Sequence, residues 1–132
     1  MIGEAVKDIM ARLEYDIDVY VEFPPTPEET EYPFLVYTFG DDFRRGKSYG
    51  GPRSNASVSI VVIVAARSKL ELDAVMTALL DLLDWFGPEE VSGRLIRRIK
   101  LTNSDDKSYL DVDTGEPSVF VRELTFLCRF EI

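Results

Sequence analysis

The sequence has no histidine, and a single cysteine, Cys128, among its 132 residues. Without histidine, Ser–His–Asp and Cys–His nucleophilic sites, the commonest zinc sites and the usual general base near neutral pH are excluded. One cysteine excludes an internal disulfide framework. Long hydrophobic runs are missing as well. The longest, from Ile60 to Ala66, is strand-sized and far short of the ~20 residues that cross a bilayer. The opening MIGEAVKDIMARLE is amphipathic and acidic, without the basic start and apolar core of a secretion signal. A cytosolic origin and no membrane partner are therefore expected. Positive charge is scarce: 15 Lys and Arg against 24 Asp and Glu leave a net charge of −9, which argues against specific nucleic-acid binding by phosphate neutralisation.

What remains is a chain with 45% hydrophobic residues, suited to one domain spanning residues 1–132 with a real core. Its charge is unevenly spread. Residues 1–32 hold nine carboxylates against only Lys7 and Arg12. Two segments are locally basic: Arg44, Arg45, Lys47 and Arg53, then Arg94, Arg97, Arg98 and Lys100. Patches of opposite sign on one chain can steer self-association or a charged partner.

Hydrophobic periodicity sets the expected elements. Val6, Ile9, Met10, Leu13 and Ile17 recur on one helical face and predict a helix from about residue 3 to 14. A short strand at residues 18–22 precedes a proline-rich acidic loop at about 23–33. Residues 34–39 form a second strand. Residues 40–55, with four glycines and a proline, read as a loop. A third strand runs from about 57 to 67, its unbroken apolar core marking a central position. Ser68 and Glu71 make a capping box for a second helix, whose stripe Leu72, Val75, Met76, Leu79, Leu82, Leu83 and Phe86 ends at Gly87-Pro88. A fourth strand covers 94–102, with Leu95, Ile99 and Leu101 on one face and Arg94, Arg98 and Lys100 on the other. A polar loop at about 103–118 leads to a last strand at 119–132 that alternates Phe120, Leu124, Phe126, Cys128, Phe130 and Ile132 inward. The order α-β-β-β-α-β-β predicts an α+β fold: a mostly antiparallel sheet of four to five strands with two helices on one face.

Candidate chemistry is thin. Gly46-Lys47-Ser48 resembles the tail of a phosphate-binding loop. However, five residues rather than four separate Gly40 from Gly46, and the following Tyr49-Gly-Gly-Pro-Arg-Ser-Asn55 cannot begin the helix such a loop needs. Asp111-Val-Asp-Thr-Gly-Glu116 faintly echoes a calcium loop, but its glycine comes one place early and a hairpin turn explains it. Asp105, Asp106, Asp111 and Asp113 are carboxylates with nothing to fix their separation. Cys128 and Trp85 read as core and core edge. No catalytic constellation, metal site or cofactor site is expected, and the chain reads as a non-enzyme. The features that stand out are the long charged loops, of a length usually functional or disordered in small domains.

The ordered series consists of an amphipathic first helix, an acidic proline-containing segment, Pro33-Phe-Leu-Val-Tyr37, a long loop, Ser57-Val-Ser-Ile-Val-Val-Ile-Val64, the helix from Leu70 to Trp85 and a final long-looped hairpin ending Arg122-Glu-Leu-Thr-Phe-Leu-Cys-Arg-Phe130. It resembles the tail terminator, or tail completion, proteins of long-tailed bacteriophages and prophages, and related minor tail and head–tail joining proteins. That resemblance implies a homo-oligomeric ring, usually hexameric, that caps the tail tube, ends its polymerisation and offers the surface for head attachment. It implies a tail tube protein and a head–tail connector as partners, DNA passing through the ring, and assembly in the host cytoplasm before residence in the virion tail. By position, Arg44, Arg45, Lys47 and Arg53 would contact the tube or lumen. From the charge asymmetry of the chain, Arg94, Arg98 and Lys100 are expected to meet acidic residues on the first helix of a neighbouring subunit. The alternatives are a head–tail connector or neck protein, and a small nucleotide- or ligand-binding module using Gly46-Lys47-Ser48.

Overall fold

The computed structural model describes residues 2–15, 17–21, 33–39, 44–47, 54–107, 109–110 and 117–131. The elements in chain order are α1 (Ile2–Met10), β1 (Asp18–Val21), β2 (Phe34–Phe39), β3 (Arg44–Lys47) and β4 (Ser54–Ala66). They continue with α2 (Lys69–Leu83), β5 (Glu89–Val91), β6 (Arg94–Asp106), β7 (Tyr109–Leu110) and β8 (Pro117–Glu131). The main sheet runs β1-β2-β4-β8-β6-β5, with β3 paired to β4 and β7 to β8. Every pairing is antiparallel except β1 with β2, which is parallel.

The α+β class and the mostly antiparallel sheet match expectation, but the strands are more numerous and longer. Arg44–Lys47 pairs with Ser54–Ser57, so the segment expected as a loop at 40–55 contains a strand, and β4 starts at Ser54 rather than Ser57. The expected loop at 103–118 holds the far end of β6, β7 and the start of β8. Polar residues misled the reading there: β6 continues through Asn103, Ser104, Asp105 and Asp106 because β8 supplies a backbone partner for each, which low propensity cannot override. β5 escaped notice because it is three residues long. It joins β6 through the turn Ser92-Gly93, both at positive φ (51° and 76°), as a tight hairpin demands.

Both helices bury into the same face of the sheet. Ala5, Val6, Ile9 and Met10 of α1 and Leu72, Val75, Leu79 and Leu83 of α2 share one cluster with Leu35, Tyr37, Val58, Ile60, Val62, Val64, Leu124, Phe126 and Cys128. β4 and β8 thus alternate as strands with one buried face: even-numbered residues turn inward on both. α1 ends at Met10, earlier than its periodicity predicts. The amides of Arg12 and Leu13 tighten onto the carbonyls three residues back, those of Ile9 and Met10. Leu13 and Ile17 still pack on the core.

Ser68 caps α2 as its sequence predicts, the Glu71 amide donating to Ser68 Oγ at 3.1 Å. The helix stops at Leu83, short of Gly87-Pro88. The chain is drawn off into the sheet instead. The Trp85 amide donates to Ile99 O at 2.7 Å, and the Ile99 amide donates to Phe86 O at 2.9 Å. The Leu101 amide donates to Asp84 Oδ1 at 2.9 Å. Sheet-like pairing with β6 thus replaces the last helical turn and places Trp85 at φ 65°, an uncommon conformation for a bulky side chain.

A cationic concavity on the open sheet face

The face of the sheet opposite the helices can be read row by row from the strand register. Arg44 of β3 pairs with Ser57 of β4, Ser57 with Arg129 of β8, and Arg129 with Arg98 of β6. One row across four strands therefore joins the two basic segments that lie some fifty residues apart in the chain. The next row is Ser59, Leu127 and Lys100. Further along come Thr38, Val61, Thr125 and Asn103, then Val36, Ile63, Glu123 and Asp105. Arg98, Lys100 and Arg129 gather at one end of this face and the pair Asp105–Glu123 at the other.

Two irregularities in β6, between Ile96 and Arg98 and between Leu101 and Asn103, set which side chains reach this face. An extra residue reverses the inward–outward alternation, so Ile96 and Ile99 are both fully buried. Arg98 and Lys100 fall on the open face, whereas Arg94 shares the inward side of Ile96. This corrects the expectation of Arg94, Arg98 and Lys100 on one face. Arg94 is engaged within the subunit: its guanidinium lies 5.4 Å from the Phe130 ring centroid and donates to Glu131 O at 3.5 Å.

Around Arg98 and Lys100 the surface is concave. An open cavity of about 550 Å³ is lined by Pro88, Arg97, Arg98, Lys100, Thr102, Leu127 and Arg129. Trp85 flanks it. The Arg98 guanidinium lies 5.0 Å and the Lys100 ammonium 5.1 Å from the indole centroid, within cation–π range. Trp85 is 58% exposed, so it is a surface platform and not the core edge expected of it, while Phe86 packs on the core. Arg97 pairs with Glu131 at 3.3 Å. Arg98, Lys100 and Arg129 meet no carboxylate among the described residues. Arg129 and Trp85 are the members of this site that sequence reasoning missed. Alternation of β8 did place Arg129 outward, but nothing in one sequence pairs it with Arg98.

Arg45 and Lys47 stand on β3 with Arg44, and Arg53 lies outside the described residues. The ladder between β3 and β4 places Gly46 opposite Asn55 and Lys47 opposite Ser54. This is strand geometry where a nucleotide-binding loop needs a helix N-terminus. Ser48 lies outside the described residues, as does the calcium-like segment 111–116. Asp105 and Asp106 are successive residues of a strand, opposite Glu123 and Arg122 respectively, and so emerge on opposite faces and do not form a carboxylate pair. Cys128 is fully buried, and burial pushes its thiol up to about 12.

No protein-family model matches the chain, and no curated protein matches it. Among solved structures it is similar to a chain from the virion of a native gene transfer agent particle. The two are 16% identical with a TM-score of 0.57 over 96% of this chain and 84% of the other. At that identity the likeness is one of fold.

Proposed function

We propose that this chain is a non-enzymatic structural subunit of a phage-like virion, acting as a tail terminator. A homo-oligomeric ring, expected to be a hexamer, caps the tail tube, ends tube polymerisation and presents the surface to which the head attaches. The observation that carries this reading is the fold shared with a virion chain across 96% of the present chain. The order of elements in the sequence points the same way independently. The site supports it by its chemistry: an open cationic face on an acidic protein suits protein–protein assembly. On this reading Arg44, Arg45, Lys47 and Arg53 contact the tail tube or the ring lumen, and Arg98 and Lys100 serve contacts between subunits.

The test is tail length. Tails assembled without the protein should be of uncontrolled length in negative stain, and adding it back should restore a uniform length and head joining. Tails of normal length that merely fail to join heads would overturn the terminator role in favour of a head–tail connector. A thermal shift with ATP that is lost in Lys47→Ala would overturn both in favour of a nucleotide-binding module.

A further inference from the structure

The three cations of the open sheet face, which meet no carboxylate among the described residues, have a counterpart on the far side of the subunit. Helix α2 carries no basic residue after Lys69. Its outward stripe is Asp73, Thr77 and Asp81, successive i+4 positions, all exposed. Ala74 and Ala78 lie along one side of it, and Leu70, 83% exposed, stands at its N-terminal end. With Arg12, Glu14, Thr77, Asp81 and Leu82 these alanines line an open groove of about 510 Å³. Asp73 and Asp81 are two turns apart, roughly 12 Å along the helix axis. Lys69, the exposed first residue of α2, is the i−4 neighbour of Asp73, and Arg12 is committed within the subunit to Glu89 at 2.6 Å. On α1, Asp8 accepts a hydrogen bond from Ser92 Oγ, and Lys7 interrupts its acidity. Of the two helices, α2 rather than α1 therefore presents the acidic surface that matches the basic face.

We infer that the Arg98–Lys100–Arg129 face of one copy docks on the Asp73–Asp81 stripe of α2 in a second copy. The partner is argued from charge complementarity. In a chain with an excess of nine negative charges, three clustered cations meet no carboxylate among the described residues, and the matching carboxylates, with alanines between them, lie on the opposite layer of the same fold. The cations spread about 7 Å along the strands and about 5 Å between them, a span that one exposed helix stripe covers. The small residues let the helix approach the sheet closely, with Leu127 as the apolar contact at the centre. Because the two patches lie on opposite layers, the contact is heterologous and propagates head to tail, closing into a ring if the rotation per subunit allows. Its biological setting rests on the ring reading above, but the contact itself does not require the chain to terminate tails.

The test uses two double variants of the full chain, followed by sedimentation velocity and native mass spectrometry. Wild-type protein should self-associate, less so as salt rises. Arg98→Glu with Lys100→Glu has two acidic surfaces, and Asp73→Lys with Asp81→Lys has two basic ones. Each alone should stay monomeric at concentrations where the wild type associates, and mixing them one to one should restore assembly. Restoration also shows that both variants are folded. The milder Arg129→Gln should weaken association by roughly three- to tenfold, as expected for one partly exposed charge. Wild-type protein that is monomeric at its highest soluble concentration would overturn the proposal. So would variants that associate like the wild type, or a mixture that stays monomeric although both variants melt cooperatively. A shift in the emission of Trp85, the sole tryptophan, on adding duplex DNA, with self-association unchanged by either variant, would assign the face to nucleic acid instead. Tail length is a separate readout: normal tails in the absence of the protein would refute termination and leave this contact standing.

Discussion

Arg98 of β6 and Arg129 of β8 sit directly opposite one another across an antiparallel ladder, both exposed and neither paired with a carboxylate among the described residues. Like charges in this relation are destabilising by a few tenths of a kcal/mol up to about 1 kcal/mol. Folding alone gains nothing from the pair, so Arg129→Gln should leave the isolated subunit as stable or slightly more stable. The denaturation midpoint should hold or rise while self-association falls. A variant that lost both together would show that Arg129 supports the fold and not the contact.

Gly87 shapes the same region from beneath. It sits at φ 100°, and a Cβ there would come within 2.7 Å of Arg97 O and 2.9 Å of Ile96 O, both backbone atoms. Neither carbonyl can move without disturbing β6, so Gly87→Ala combines an unfavourable φ with a main-chain clash. A loss of about 2 kcal/mol or more is expected in urea unfolding, above the ~1 kcal/mol typical of a point mutation. Gly93, also at positive φ (76°), has no atom within 4 Å of such a Cβ. Gly93→Ala should therefore cost less, and the ordering of the two variants separates clash from conformation.

These two positions show which parts of the molecule were legible in advance. Apolar periodicity located both helices, and the inward alternation of Leu124, Phe126 and Cys128 was readable because one buried face imposes a strict two-residue period. The extent of β3 and of the far half of β6 was not readable. Arg44–Lys47 and Asn103–Asp106 are polar and are held in strands by backbone partners contributed from β4 and β8. The site was half visible. Clustering along the chain marked Arg98 and Lys100, but the irregularity near Arg97 that moves Arg94 to the other face leaves no trace in composition. The meeting of Arg98 with Arg129 and Trp85 is a matter of register and of where α2 stops.

Arg12 and Glu89 tie the end of α1 to β5 with an exposed ion pair at 2.6 Å, and the Arg12 guanidinium also lies 5.6 Å from the Phe86 ring centroid. The hydrogen bond from Arg12 holds the Glu89 carboxyl below its ordinary value of 4.5. A lowered carboxylate stabilises the fold above that unfolded value and loses its contribution as pH falls through the folded one. Glu89→Gln should therefore be slightly less stable than wild type at neutral pH, and the gap should close on acidification below about pH 4.5 and shrink with salt. Parallel melting curves across this range, at two ionic strengths, check it.

Cys128 gives a probe of the opposite sign. Its side chain is fully buried between Phe126 and Phe130 along β8, inside the shared core cluster. Desolvation raises its thiol from an ordinary value of 9.0 to about 12. The folded state thus favours the protonated thiol. The contribution is present below pH 9 and is lost as pH rises toward 12, because the unfolded chain ionises first. At neutral pH the thiol should resist a thiol reagent in the native protein and react only through opening of the sheet, since the thiolate is the nucleophile and the core excludes the reagent. Labelling should therefore slow in proportion to stability when conditions are changed. It should also accelerate in Gly87→Ala by the factor that the urea midpoint predicts, roughly tenfold for each 1.4 kcal/mol, where opening is fast relative to labelling. Immediate reaction of the native thiol would mean that the β8 core face is accessible. Reaction at one rate in both proteins would mean that Cys128 is reached by a local opening that leaves the end of α2 in place.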